Sequence, residues 1–159
     1  MKLVLKFGGT SLASPKDITN VAKTVASFSK GNEIVVVCSA VDGVTDDLIL
    51  ISKMIEQRKE KDVAKTLDEL IKKHRKLAMQ TIKNSEIEAP LMEKLNTDVS
   101  ELQELVRGLT LLKEVSARSL DYLISFGERL SDDLVSFALQ DIKKKSTALN
   151  GKEVGIVTD

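Results

Sequence analysis

The segment Leu3-Val4-Leu5-Lys6-Phe7-Gly8-Gly9, followed by Ser14-Pro15, constrains the fold more than anything else in the chain. Five residues of mostly apolar character predict a buried strand, and two glycines stop it. Ser14 then suits a helix N-cap and Pro15 the first helical turn. Ile18, Val21, Ala22 and Val25 recur at helical spacing towards Phe28, and Gly31-Asn32 ends the pattern. Glu33 to Cys38 predicts a second strand. Strand, helix, strand implies a βαβ unit with a parallel sheet and a right-handed crossover.

From Val44 to about Lys113 the sequence reads as helix almost throughout. Leu48, Ile51 and Ile55 form one stripe, and Val63, Leu67, Leu70, Ile71 and Leu77 another. Leu91, Leu95, Val99, Leu102, Leu105, Val106, Leu109 and Leu112 form a third. Asn84-Ser85 and Ala89-Pro90 are the predicted breaks, because the residue before proline is steered away from helical angles. Such stripes fit the packing faces of antiparallel helices better than a coiled-coil seam for a partner. His74 lies among Lys72, Lys73, Arg75 and Lys76 without companions for a metal site, so a surface or structural role is expected.

The remainder returns to α/β character. Ser116 suits a helix cap ahead of Leu120, Leu123 and Ile124. After Ser125-Phe126-Gly127 a second amphipathic segment carries Leu130, Leu134, Val135, Phe137, Ala138 and Leu139, closed by Lys143-Lys144-Lys145. Ser146–Leu149 and Val154–Val157 predict two further strands. The sequence stops at Asp159, where an α/β strand ordinarily enters a ligand-bearing loop, so a truncated chain is expected.

Composition narrows the function. With 159 residues, one domain with a real core is feasible. Lysine plus arginine (24) cancels aspartate plus glutamate (24), so no global field favours nucleic acid or an anionic membrane. Aromatic residues make up 3%, too few for a base-stacking surface. No signal-peptide core and no membrane-spanning run is visible, and a cytoplasmic protein is expected. Cys38, the only cysteine, ends the Ile34–Val37 run and is expected to be a buried, inert thiol.

Three constellations can carry chemistry. In Lys6-Phe7-Gly8-Gly9-Thr10-Ser11, glycine amides can approach phosphate oxygens while a lysine neutralises charge. Neither a Walker A nor a G-x-G-x-x-G spacing is present. By spacing alone the segment equally suits a plain strand-ending turn. Ser39-Ala40-Val41-Asp42-Gly43-Val44-Thr45 leaves the second strand where open α/β sheets place ligands, or simply caps a helix. Ser125-Phe126-Gly127-Glu128-Arg129-Leu130-Ser131 sets a glycine inside an apolar helical pattern. At a cost of roughly 1 kcal/mol against alanine, that glycine marks either close helix packing or a functional junction.

Together, in this order and spacing, the three resemble the signatures of the aspartokinases, with a helical insertion between the second and third. The final Gly155-Ile156-Val157-Thr158-Asp159 is similar to the family's strand towards the substrate-binding turn. The resemblance implies an α/β/α sandwich with a parallel-rich sheet and a helical insertion over about residues 44–113. Residues 1–159 would be the N-terminal, amino-acid-binding part of the kinase domain. The nucleotide-binding half and the regulatory ACT domains would be absent.

The activity implied is transfer of the ATP γ-phosphoryl group to the β-carboxylate of L-aspartate, the first step of lysine, threonine and methionine biosynthesis. ATP and Mg²⁺ are the implied cofactors, and the full-length enzyme would be a homo-oligomer. Position by position, Lys6 resembles the catalytic lysine on the phosphates, with Gly8, Gly9, Thr10 and Ser11 as the phosphate cradle. Ser39 and Thr45 resemble residues of the amino-acid pocket, Glu128 the carboxylate that holds the substrate ammonium, and Asp159 an acidic site residue. No metal ligand is assigned. The rivals are an amino-acid kinase with another acceptor and a non-catalytic module that docks partners through residues 44–113.

Overall fold

A computed structural model describes residues 1–156, and its first forty residues form the βαβ unit that the sequence predicts. Strand β1 (Lys2–Phe7) and strand β2 (Glu33–Cys38) pair in parallel, with Lys2 opposite Glu33 and Phe7 opposite Cys38. Helix α1 (Pro15–Phe28) connects them. Ser14 caps it: its Oγ accepts the Asp17 amide at 3.2 Å and donates to the Asp17 carboxylate at 2.5 Å. The apolar positions Ile18, Val21, Ala22 and Val25 are all buried.

The two-residue period of the strands divides their side chains. Leu5, Phe7, Ile34, Val36 and Cys38 pack towards the core. Val4, Val35 and Val37 are 70%, 59% and 46% exposed on the other face. The buried strand expected at β1 is thus covered on one face only. An apolar run has the same composition whether one face is covered or two.

Four helices follow: α2 (Val44–Glu56), α3 (Glu60–Thr81), α4 (Ser85–Leu112) and α5 (Ala117–Asp141). Helix α5 packs against β2, α1, α2, α3 and α4, so the core is organised around it. The predicted stripes of α2, α3 and α4 are buried in that core, apart from half-buried Leu105 and exposed Leu112. Those apolar faces are therefore covered within this chain, which removes the reason to read residues 44–113 as a partner's docking surface.

Three boundaries differ from expectation. The chain breaks at Asn84, whose side chain caps the Glu86 amide at 3.0 Å, but α4 continues through Pro90. Pro90 sits near the helix start, where it forfeits one hydrogen bond, and Leu91 and Leu95 just beyond it are completely buried. Gly127 does not separate two helices; α5 is continuous through it. The strands expected at Ser146–Leu149 and Val154–Val157 are not formed over the described residues, and Val157 lies outside them. Local polar bonds hold this stretch instead. Ser146 Oγ donates to the Ser136 carbonyl at 2.7 Å, and Asn150 and Glu153 bond reciprocally at 2.7 and 3.0 Å.

His74 has a structural place, and a deeper one than a lysine-rich context suggests. It is fully buried, and its Nδ1–H donates to the Leu70 carbonyl at 2.9 Å. Burial, abetted by the charge of Lys73, lowers its pKa below the ordinary value, although the Leu70 bond works against this. A depressed pKa means that the unfolded chain takes up the proton first as pH falls below about 6.5. The stabilisation from neutral His74 is therefore present above that pH and lost below it. The melting-temperature difference between wild type and His74→Leu should shrink between pH 7.5 and 5.5; a constant difference rules this out.

Candidate functional site

The loop Ser39–Gly43 leaves β2 beside the end of β1, anchored by a 3.0 Å bond from the Ser39 amide to the Phe7 carbonyl. Two glycines hold it from opposite sides. A Cβ on Gly9 would lie 2.9 Å from the Ala40 carbonyl oxygen, and one on Gly127 would lie 2.7 Å from Ala40 Cβ. Both distances are shorter than real Cβ contacts, so any side chain at either position displaces the loop. All three constellations singled out in the sequence therefore meet at Ala40.

Further contacts set the loop's shape. Gly43 has φ of 77°, a left-handed angle that favours glycine, and it opens α2. Lys73, from α3, donates to the Asp42 carbonyl at 2.5 Å. Ser131, one turn after Gly127, reaches the Ser39 carbonyl at 2.7 Å and the Glu128 carbonyl of its own helix at 2.9 Å. Sequence reasoning assigned no role to Lys73 or Ser131. Lys73 stands in a run of cations that carries no signal of its own.

The predicted site residues fall as follows. Lys6 is exposed at the end of β1, with Nζ 3.7 Å from where a Gly8 Cβ would stand. Gly9, Thr10 and Ser11 lie in a short 3₁₀ helix, Gly9–Leu12, and the Ser11 amide donates to the Gly8 carbonyl at 3.0 Å. Ser39 is half-buried in the loop, Thr45 half-buried in the first turn of α2, and Glu128 half-buried on α5. Asp159 lies outside the described residues. The chain of contacts from Gly9 through Ala40 to Gly127 brings the lysine, glycine, serine and glutamate segments to one neighbourhood.

Two concavities stand out among the described residues. A hollow of about 460 Å³ between Met1, Lys2, Ser29, Gly31, Asn32 and Glu33 lies at the opposite end of the strands. A cleft of about 60 Å³ is lined by Lys94, Asp98, Arg129, Asp132 and Asp133, with residues 148–150 and Glu153 across from them. No group of three His, Cys, Asp or Glu side chains is placed to hold a metal ion among the described residues.

The electrostatics beside Glu128 were not foreseen. Arg129 Nη2 donates at 2.6 Å to both Asp98 and Glu101 of α4, and its guanidinium carbon lies 4.3 Å from the centroid of the Phe126 ring. Lys94 donates to Asp98 at 2.7 Å. Burial pushes the Asp98 carboxyl up, but hydrogen bonds from Lys94, Asp133 and Arg129 outweigh it and hold the pKa below the usual value. One turn after Glu128, Asp132 is pushed up to about 6 by burial and by the charge of Glu128, against a hydrogen bond from Cys38. The Cys38 thiol is buried, and burial together with the Asp132 charge raises it to about 12. It is inert at neutral pH, as expected.

Comparison with known proteins bears on what this arrangement does. The amino acid kinase family model matches residues 1–158. The chain is similar to aspartokinase 1 of Arabidopsis thaliana chloroplasts, 30% identical over 98% of this chain and 26% of that protein. Aspartokinase 3 of the same plant is 32% identical over 98% of this chain and 27% of its own length. The aspartokinase of Candida albicans is 29% identical over 96% of this chain and 28% of its own length. Among solved structures, E. coli aspartokinase III with aspartate and ADP matches with a TM-score of 0.74 at 23% identity, over 90% of this chain and 30% of that one. The same enzyme with lysine and aspartate matches with a TM-score of 0.76 at 24% identity. The chain thus spans about a quarter of the length of these curated relatives, and the structural likeness establishes the fold. No described helix is long and apolar enough to cross a membrane.

Proposed function

The chain belongs to the amino acid kinase family, and on that footing we propose that it is the amino-acid-binding part of an aspartate kinase, the insertion being about residues 44–113. The reaction is transfer of the ATP γ-phosphoryl group to the β-carboxylate of L-aspartate, giving 4-phospho-L-aspartate at the head of lysine, threonine and methionine synthesis. One observation carries this reading: the Lys6–Ser11, Ser39–Thr45 and Ser125–Ser131 segments converge on Ala40 through two glycine contacts. Similarity to aspartokinases over nearly the whole chain supports the choice of acceptor.

The chemistry suits the residues. A carboxylate acceptor is already ionised at neutral pH, so no general base is required. What remains is in-line positioning and neutralisation of charge between two anions. Lys6 supplies a cation on the phosphate side, and the segment Gly8, Gly9, Thr10 and Ser11 lines the phosphates. Ser39 and Thr45 hold the amino acid and Glu128 its ammonium group; an acidic role for Asp159, outside the described residues, rests on the resemblance alone. Mg²⁺ would enter with ATP and add to the charge neutralisation.

In a polypeptide that joins this segment to a relative's nucleotide-binding half, Lys6→Ala should lower kcat by about 10²-fold or more, an order taken from loss of one charge-stabilising group. Its aspartate affinity should be retained. Glu128→Ala should chiefly raise the KM for aspartate. Steady-state kinetics with both substrates varied decides this; full activity of Lys6→Ala, or an effect of Glu128→Ala on ATP alone, rejects the corresponding role.

A further inference from the structure

Two buried carboxyl groups face each other between α4 and α5, next to the helix turn that carries Glu128. Asp98 and Asp133 are 1% and 4% exposed, line one cleft, and share the Lys94 ammonium. Both Asp98 oxygens already receive cations, Oδ1 from Arg129 at 2.6 Å and Oδ2 from Lys94 at 2.7 Å. Asp133 is served differently. Among the described residues its buried Oδ2 receives no hydrogen bond from an N–H or O–H donor, and the Lys94 ammonium stands off at 3.6 Å.

A buried carboxylate with an unmet oxygen beside a second carboxylate is costly. One proton removes both costs. Carried by Asp133, it turns the unmet acceptor into a donor, and each Asp98 oxygen has a second lone pair to receive it. The groups around Asp133 fit this. Lys94 and Asp98 face it from α4, Arg129 and Asp132 lie near it on α5, and Glu153 lines the same cleft from the segment beyond α5. Both cations are committed mainly to Asp98, Arg129 also to Glu101, so neither fully compensates an ionised Asp133.

We propose that Asp133 is a positioning residue for the substrate site: it keeps a proton, donates it to Asp98, and so fixes Arg129 and the adjoining Glu128 on α5. The assignment of Glu128 to substrate rests on the function proposed above; the shared proton does not. Burial first, then the Asp98 contact, pushes the Asp133 carboxyl up to about 7. Because this folded pKa lies above the unfolded one, the stabilisation is present at low pH and is lost as pH rises from about 4 through 7. Asp132, raised by burial to about 6, contributes in the same direction, so the Asp133 share is read by difference.

The test uses the 159-residue chain itself, with ¹³C-labelled aspartate side chains and ¹⁵N-labelled backbone. In wild type one carboxyl assigned to Asp133 should titrate about two or more pH units above an ordinary aspartate. The amide signals of Glu128 and Arg129 should move with the same midpoint. In Asp133→Asn the component with the Asp133 midpoint should vanish, leaving only the Asp132 titration, and the melting temperature should fall less than that of wild type between pH 5 and 8. Asp98→Asn, a second variant that keeps Asp133, should bring its midpoint down. An Asp133 midpoint below pH 5, or one unmoved in Asp98→Asn, overturns the shared proton. Amide signals of Glu128 and Arg129 that ignore the Asp133 titration overturn the positioning role. A failure of Glu128→Ala to affect aspartate kinetics, with these titrations as described, refutes the substrate assignment alone.

Discussion

Gly127→Val should destabilise the chain by about 3 kcal/mol, the upper part of the range for overpacking a close-packed core. Even a Cβ at this position meets Ala40 Cβ at 2.7 Å, with Leu48 and Val44 side-chain atoms at 3.6 Å. Alanine is the sharper probe. It gains roughly 1 kcal/mol of helix propensity over glycine, and its single methyl group still collides with the loop. If the glycine is there for room rather than flexibility, Ala40→Gly should recover much of the loss in Gly127→Ala. Urea unfolding of the two single variants and the pair gives the coupling. A Gly127→Ala chain more stable than wild type would show that the loop yields freely and that the contact does not shape the site.

Arg129→Ala should cost about 3 kcal/mol, as removal of one partner leaves a buried charge uncompensated. The side chain of Asp98 is only 2% exposed, and that of Arg129 19%. Lys94 still serves Asp98 in the variant, which holds the expected loss at the lower end for buried pairs. Arg129→Ala/Asp98→Asn should be less damaged than Arg129→Ala alone, because the stranded carboxylate is gone. A loss under about 1 kcal/mol would place the pair with exposed ion pairs, whose contribution is small. Contact of the guanidinium with Phe126 adds packing that alanine also removes.

Neither effect could be read from spacing. Gly127 stands out in the sequence as a glycine in an apolar helical pattern, but its neighbour Ala40 is far away along the chain. Asp98 looks like one more polar residue between Leu95 and Val99. Its burial is decided by α5 lying across α4, which brings Arg129 and Asp133 to it. The failed expectations share this cause. Ser146–Leu149 and the segment from Val154 have strand-like composition, yet Ser146 is bound back to α5 and no strand partner stands beside it among the described residues.

The sequence by itself determined the βαβ start, the N-caps Ser14 and Ser116, the break at Asn84, and most of the helix faces that become core. Each of these follows from interactions within a few residues, such as a capping hydroxyl or a recurring apolar position. Tertiary structure alone decided that β1 is covered on one face, that α5 runs unbroken through Gly127, and that Asp98 and Asp133 are buried in one cleft. Those outcomes depend on which distant surfaces meet, and the free energy of burial is set by the neighbour as much as by the residue.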